Sequence, residues 1–307
     1  MKTEALNALN KLKSLDLSKY PYKDILKQIN DLGSIGSIEV TLGPTKPIFR
    51  ARPNEDDGHF ISKCQLTYKP QQFNKTYQRA STPQMTMFYG SFLPSNLEPG
   101  DMDSTVVAPI YEAVPWMRDK NTKGIKKVTF SKWSVTKELN LIAILQHGNY
   151  YDKSSYTTKL MDEFKKFLDQ NPDNKEETIA FTTYLSSEFA KEVDSKDDFN
   201  YLISAAYTEL VIDGGYDGVL YPSVKVDGSG FNIALTPVVA DTKLRLDVVV
   251  ESSVYKYFDK AVMDYDYQVL LYNNQTHFEL EKIEDEYHSG ADECLKQLGL
   301  NSLKQLI

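Results

Sequence analysis

Two stretches of the sequence place basic and aromatic side chains beside apolar segments that are predicted to be strands. In IFRAR, Arg50 and Arg52 stand two residues apart, so a strand would direct both side chains to one face. In QRASTPQMTMFYGS, Arg79 precedes a loop and Tyr89 ends the apolar strand that follows. Arginine presents a planar fork of donors that can bind an anion at two points. These residue types could therefore serve an anion-binding site.

A third stretch, YDGVLYPSVKVDGSGFNIAL, has Ser223 directly after Pro222 and Asn232 in the next predicted strand. Between the second and third stretches lies IYEA, in which Glu112 is a lone acid flanked by apolar residues on a short predicted helix. A lone glutamate on a helix is usually solvated, and paired arginines on a strand are commonly surface residues in ion pairs. Taken one at a time, these residues do not identify an enzyme.

The familiar motifs of nucleotide, metal and hydrolase sites are missing from the sequence. It has no GxGxxG, GxxxxGK[ST], HExxH or GxSxG. The four histidines are scattered and are predicted to be structural or surface residues: His59, His147, His277 and His288. Any chemistry must therefore use carboxylates, hydroxyls and arginines, and the sequence predicts no metal site.

Composition and charge restrict the partners and the compartment. The net charge of −8 argues against direct binding of nucleic acid. No run approaches the roughly 20 apolar residues that cross a bilayer, and the opening MKTEALNALNKLKSL indicates an amphipathic helix, not a signal peptide. Cys64 and Cys294 are too few for a disulfide framework. We expect a cytoplasmic protein without membrane association.

Hydrophobic periodicity predicts strands, then helices, then strands, which is the order typical of an α+β fold. Strands are predicted within 38–52 (two), and at 85–90, 127–135, 139–145, 218–221, 231–235, 244–258, 265–273 and 277–283. Helices are predicted within 1–32 (two, divided at Pro21), at 104–114 with Asp103 or Ser104 as N-cap, within 156–212, and at 290–307, with loop at 53–81. We interpret 1–36 as an N-terminal helical extension and 37–307 as one domain with a helical insertion at about 156–212.

From about 48 to 237, the order of these segments resembles the RES family, which is named for its Arg, Glu and Ser residues. An early strand of that family carries an arginine, as Arg50 does in FRAR. An arginine-containing turn then leads into a strand that ends in tyrosine, similar to Arg79 and Tyr89. A helix with a glutamate follows, similar to Glu112 in IYEA.

The closing segment of the domain is the most specific part of this resemblance. DGVLYPS contains Ser223, and the downstream NIAL run begins with Asn232. Two features depart from the family pattern. Ala80 and Ser81 follow the turn arginine where shorter members have Trp or Phe and then Asn or Ser, and the helical block is longer than in compact members.

The resemblance implies an ADP-ribosyltransferase-like split β-sheet core and an enzyme that cleaves the nicotinamide–ribose bond of NAD⁺ by hydrolysis or phosphorolysis. NAD⁺ would be the substrate, with no separate cofactor. The family also implies a toxin restrained by a protein antitoxin, and a homodimer stays open. The alternatives are an ADP-ribosyltransferase that modifies a protein or other acceptor, and a non-catalytic nucleotide-binding module.

The resemblance also implies roles for arginines in binding the substrate. Arg50 and Arg79 would bind the pyrophosphate of NAD⁺, with Arg52 as a third candidate. Arg79 is additionally predicted to be catalytic.

The remaining predicted site residues would act at the ribose and the nicotinamide. Cleavage of the bond leaves an oxocarbenium-like ribose, whose charge the carboxylate of Glu112 would oppose. Tyr89 would stack on nicotinamide or ribose, and Ser223 would hold either group through its hydroxyl. Glu112 and Tyr89 are thus predicted as catalytic residues, and Ser223 and Asn232 as substrate-binding residues.

Overall fold

The computed structural model of the protein describes residues 2–33, 35–55, 58–92, 109–145, 154–194, 196–223, 230–272, 275–284 and 290–307. In these ranges the chain has the α+β organisation that the sequence predicts, with helices packed on a mixed sheet. None of the helices described combines the length and the apolar character that crossing a bilayer requires.

Ten described strands form one hydrogen-bonded series in the order β1-β5-β6-β7-β3-β2-β4-β8-β9-β10. Their bounds are β1 Ile38–Leu42, β2 Pro47–Pro53, β3 Phe88–Phe92, β4 Lys123–Val135, β5 Leu139–Ala143, β6 Gly218–Pro222, β7 Phe231–Leu235, β8 Leu244–Tyr257, β9 Lys260–Leu270 and β10 Glu281–Lys282. Neighbouring strands are antiparallel except for β5 and β6. Parallel neighbours need a crossover connection, and the helical block between β5 and β6 supplies it.

The helices occupy the predicted regions with some additions. Their bounds are α1 Lys2–Ser14, α2 Tyr22–Asp31, α3 Lys63–Leu66, α4 at the helical residues 109–113, α5 Pro115–Arg118, α6 Ser155–Gln170, α7 Lys175–Ala190, α8 Leu202–Asp213, α9 Pro237–Lys243 and α10 Gly290–Leu298. A short 3-10 helix at Asp198–Tyr201 leads into α8. The predicted N-cap at Asp103 or Ser104 lies outside the described residues.

Alternation along the strands gives the sheet two apolar faces with different covers. Phe88 and Phe92 of β3 belong to the core that also contains Leu160 and Phe164 of α6. Ala234 of β7 belongs to the opposite core, to which the helices α1, α2, α7 and α8 contribute. A smaller cluster packs α4 and α5 on β2, β4 and β8, and its members are Ala51, Ile110, Val114, Met117, Val128 and Val254.

Four of these elements, α3, α9, β9 and β10, differ from the sequence prediction. The loop predicted at 53–81 contains α3, and α9 follows β7 where no helix was predicted. Thr236 caps α9 through its side chain and Pro237 occupies the first turn, a signal that was present in the sequence. β9 begins at Lys260 because a tight turn joins it to β8 in an antiparallel hairpin. The strand predicted at 277–283 is reduced to the two residues of β10.

Candidate active site

Glu112 on α4 is the point where three distant segments of the chain meet. The hydroxyl of Ser223 donates a hydrogen bond of 2.6 Å to its Oε1, and the amide nitrogen of Asn232 donates one of 2.8 Å to the same oxygen. Ser91 of β3 donates at 3.3 Å to the amide oxygen of Asn232. The amide of Asn232 is therefore oriented from both ends, with its nitrogen toward the carboxylate.

The order of strands explains why these residues meet. In the sheet register Asn232 of β7 lies opposite Tyr221 of β6 on one side and opposite Ser91 of β3 on the other. Residues opposite each other share a face of the sheet, and Ser223 follows directly after the end of β6. The polar groups are therefore collected on one face, where α4 can reach them.

Two cationic side chains hold α4 and the turn after α5 by donating hydrogen bonds to backbone carbonyls. Arg118 on α5 donates to the backbone carbonyl of Tyr111 and lies 3.5 Å from the carbonyl of Glu112. Lys256 of β8, only 2% exposed, donates to the carbonyl oxygens of Asp119 at 2.7 Å and Thr122 at 3.0 Å. These cations satisfy carbonyl groups that the short helix and the turn after α5 leave without helical partners. The position of Glu112 is thereby fixed against the sheet.

Glu112 is more exposed to solvent than the two residues that donate to its carboxylate. Ser223 is fully buried and Asn232 is 5% exposed, whereas Glu112 is half-buried. Both donors act on Oε1, so among the described contacts Oε2 carries no hydrogen bond. The direct role of Ser223 and Asn232 here is to orient Glu112, and their predicted binding of substrate stays a prediction.

Arg79 lies close to this cluster, and its guanidinium donates hydrogen bonds to backbone carbonyls of the protein. It is buried, and its guanidinium donates to the carbonyl of Phe189 and, at 3.0 Å, to that of Lys191. These carbonyls stand at the C-terminal end of α7, where cations stabilise helices. The guanidinium carbon also lies 5.4 Å from the ring centre of Tyr201 and 6.0 Å from that of Tyr221. Its predicted binding of phosphate stays a prediction.

Tyr89 connects β3 to the turn that follows Arg79. Its hydroxyl accepts a hydrogen bond of 3.1 Å from the backbone N–H of Ala80 and shares one of 2.6 Å with the hydroxyl of Ser81. Burial raises the pKa of Tyr89 to about 12, so the phenol is neutral near pH 7. Ala80 and Ser81 thus hold the phenol of Tyr89 in place.

Arg50 lies where β2 and β3 separate. The register between these strands contains only the pairs Ile48 with Phe92 and Phe49 with Ser91, and Arg50 comes next along β2. Its guanidinium donates to the backbone carbonyl of Tyr89, while its buried Nε has no hydrogen-bond partner among the described residues. Burial, aided by the charge of Arg52, lowers the pKa of Arg50 to about 10.

The two arginines of the FRAR stretch lie on the face of the sheet opposite the cluster at Glu112. Phe49 pairs with Ser91 and shares its face, so its neighbour Arg50 starts from the other face and reaches the gap between β2 and β3. Arg52 starts from the same face as Arg50. Its guanidinium donates to the carbonyl of Gln65 and lies 5.2 Å from the ring centre of Phe60. The guanidinium carbon of Arg50 lies 5.5 Å from the ring centre of Phe88 on that face, and Arg52 lies beside α3.

Sequence reasoning missed two tyrosines at this site. Tyr221 is buried on β6 next to Asn232, and Tyr201 is half-buried immediately before α8. Burial is the main cause that raises the pKa of Tyr201, and the charge of Glu112 raises it further while that of Arg79 lowers it. The YP in DGVLYPS could have suggested Tyr221. Nothing near Tyr201 in the sequence distinguishes it from the other tyrosines.

A groove of about 480 Å³ lies between β1 and α6, where its lining includes Ile38, Val40 and Phe167, away from the predicted site residues. In the part of the chain that the structure describes, no group of three or more His, Cys, Asp or Glu side chains could hold a metal ion.

Comparisons with known proteins assign no family to the chain. Comparison with models of protein families finds none that matches the chain, and a search of curated proteins finds no match either.

Proposed function

We propose that this protein cleaves the nicotinamide–ribose bond of NAD⁺, with Glu112 as the group that opposes positive charge on the ribose. The single observation that carries the proposal is the convergence on Glu112 Oε1 of Ser223, at 2.6 Å, and Asn232, at 2.8 Å. The RES resemblance includes these three residues, from widely separated motifs, among its site residues, together with Arg50, Arg79 and Tyr89. Their contact supports that resemblance, because residues 111 and 120 positions apart along the chain meet only through the fold.

The proposed reaction needs little more than an oriented carboxylate. The C1′–N bond breaks with its electron pair going to nicotinamide, which leaves as a neutral ring and requires no strong general acid. Positive charge develops at C1′ and the ring oxygen, and a fixed carboxylate stabilises it more than mobile water does. Water then forms the new bond to C1′ and releases a proton, giving ADP-ribose. Phosphate attacking the same carbon would give ADP-ribose 1″-phosphate.

A carboxylate acts in this way only if it is held in place and accessible. Two donors and the anchored α4 hold Glu112, and its half-buried side chain leaves part of the carboxylate accessible. The binding of the pyrophosphate is assigned to Arg50, whose buried Nε has no hydrogen-bond partner among the described residues and whose guanidinium stands at the gap between β2 and β3. Separation of two central strands also supports an ADP-ribosyltransferase-like core, in which a split sheet forms the nucleotide cleft.

The test is to incubate the purified protein with NAD⁺, with and without inorganic phosphate, and to identify the products by mass. We expect free nicotinamide in both reactions, with ADP-ribose or its 1″-phosphate as the second product. No consumption of NAD⁺ under either condition, by protein that melts cooperatively, would contradict the proposal. Protein that gains ADP-ribose in proportion to the NAD⁺ consumed would replace it with the transferase alternative.

A further inference from the structure

The most deeply buried side chains of the site expose little surface to a ligand. Ser223 and Asn232 are buried and bonded to Glu112, and Arg79 is 9% exposed with its donors on backbone carbonyls. Glu112 and Tyr201, in contrast, are half-buried and keep exposed surface. A substrate that reaches Glu112 is therefore expected to meet Tyr201 as well.

A continuous set of contacts links Tyr201 to the carboxylate. The ring of Tyr201 lies 5.4 Å from the guanidinium carbon of Arg79, which in turn lies 6.0 Å from the ring of Tyr221. Tyr221 is the register partner of Asn232, whose amide donates to Glu112 at 2.8 Å. Tyr201 thus stands at the far end of the same cluster, on the side built by the helical block.

The electrostatic surroundings of Tyr201 agree with this position. Its hydroxyl group responds to the charge of Glu112, which raises the pKa, and to those of Arg79 and Arg118, which lower it, although burial is the largest cause of the rise. Its backbone is fixed as well, since the hydroxyl of Ser204 in the first turn of α8 donates to its carbonyl at 3.1 Å. The ring is held in a defined place between the cationic and anionic groups of the site.

We propose that Tyr201 contacts the substrate directly, with its ring stacked on one of the two flat rings of NAD⁺. This inference rests on the proposed function and extends it by a residue from outside the RES-like motifs. A phenol ring with a guanidinium over one face is pre-organised to take an aromatic ring on the other. The helical insertion then has a role in the site, because it delivers one wall of the nucleotide pocket.

The experiment compares the kinetics of NAD⁺ cleavage in Tyr201→Ala, Tyr201→Leu and Tyr201→Phe with those of the unchanged protein. Loss of the ring is expected to raise KM by about 5-fold to about 150-fold, the range that stacking of a base on an aromatic ring supports. The effect should fall on KM more than on kcat. Tyr201→Phe keeps the ring and should recover most of the loss.

Tyr184→Ala is the matched control. Tyr184 is another half-buried tyrosine of the helical block, and Lys13 lies 5.3 Å from its ring centre, so its removal also deletes a cation–aromatic contact. We expect this variant to keep the KM of the unchanged protein. Tyr201→Leu retains apolar volume, so it provides a folded comparison if Tyr201→Ala lowers the melting temperature.

The outcomes separate this inference from the proposed function. If the unchanged protein cleaves NAD⁺ and neither Tyr201→Ala nor Tyr201→Leu raises KM more than twofold, the inference is wrong and the function stands. If the unchanged protein binds NAD⁺ in calorimetry without cleaving it, the proposed cleavage is wrong. Weaker binding by the two variants would then still support the contact between Tyr201 and NAD⁺. Absence of both cleavage and binding overturns the two proposals together.

Discussion

Ser223 and Glu112 are separated by 111 residues in the chain, yet the hydroxyl of the first lies 2.6 Å from Oε1 of the second. The contact joins the residue after β6 to α4, which are placed by different cores of the protein. A buried hydroxyl whose hydrogen bond goes to a half-buried carboxylate fixes that carboxylate without occupying both of its oxygens. The site can therefore be tested by substituting the donors, Ser223 and Asn232, and the acceptor, Glu112, in separate variants.

The donors to Glu112 should matter through its orientation. Ser223→Ala removes one of two hydrogen bonds to Oε1, and we expect kcat to fall by about 10-fold, because loss of a single preorganising contact costs on the order of 1–2 kcal/mol. Steady-state kinetics with NAD⁺ measure the change. Ser187→Ala is the control, since Ser187 is exposed on α7 and, among the described residues, its hydroxyl donates to the backbone carbonyl of Tyr184. Equal rates for both variants would remove Ser223 from the site.

Asn232→Asp should shift the pH dependence of cleavage. The new carboxylate would face Glu112 where the amide nitrogen now stands 2.8 Å from Oε1, and two like charges at that distance raise the pKa of the pair. If cleavage needs Glu112 ionised, the acidic limb of kcat moves to higher pH by about one unit or more. A pH–rate profile identical in shape to that of the unchanged protein would contradict this role for Glu112.

Arg50 and Arg79 should respond differently to replacement by lysine. Arg79→Lys loses the fork that serves the carbonyls of Phe189 and Lys191, so we expect the free energy of unfolding to fall by roughly 1.5–3 kcal/mol. Chemical denaturation measures this loss of stability.

Arg50→Lys should instead weaken NAD⁺ binding by about 10-fold or more in calorimetry. Arg245→Lys is the control, because Arg245 forms an ion pair with Asp247. Unchanged affinity in Arg50→Lys would make this arginine structural.

Tyr89 should contribute stability that disappears at high pH. Its folded pKa of about 12 lies above the ordinary value of 10, so the folded state keeps the proton longer than the unfolded chain does. The contribution is complete below about pH 10 and is lost as the pH rises toward 12, by up to about 2.7 kcal/mol. Denaturation at a series of pH values should show the stability of the unchanged protein falling toward that of Tyr89→Phe. A constant difference across this range would contradict the assignment.

Much of the fold follows from local patterns. The helices α1 and α2, the strands that flank the helical block, and the three helices within it agree with the predicted regions because their apolar residues repeat at helical or strand spacing. α9 was missed although its cap and proline were present, and β9 was predicted to begin too late because its first half is stabilised by pairing with β8.

The site was harder to predict than the fold. The motif resemblance named Glu112 as a catalytic residue and Ser223 and Asn232 as substrate-binding residues without predicting a contact among them, and the structure places the three in contact. It could not reveal Ser91 or Tyr201, because their places depend on the strand order and on the path of the helical block. The partners of Arg79 lie 110 and 112 residues away, so no local pattern indicates that its guanidinium is already committed.

The measurement that tests the central claim most directly is NAD⁺ consumption by Glu112→Gln beside the unchanged protein and Glu138→Gln. The amide keeps the shape of the side chain and removes its charge, and Glu138 is an exposed glutamate between β4 and β5 that serves as control. We predict a loss of about 10²- to 10³-fold in Glu112→Gln at an unchanged melting temperature, and none in Glu138→Gln. Turnover by Glu112→Gln within about threefold of the unchanged protein, well below the loss that a preorganised charge accounts for, would contradict the claim.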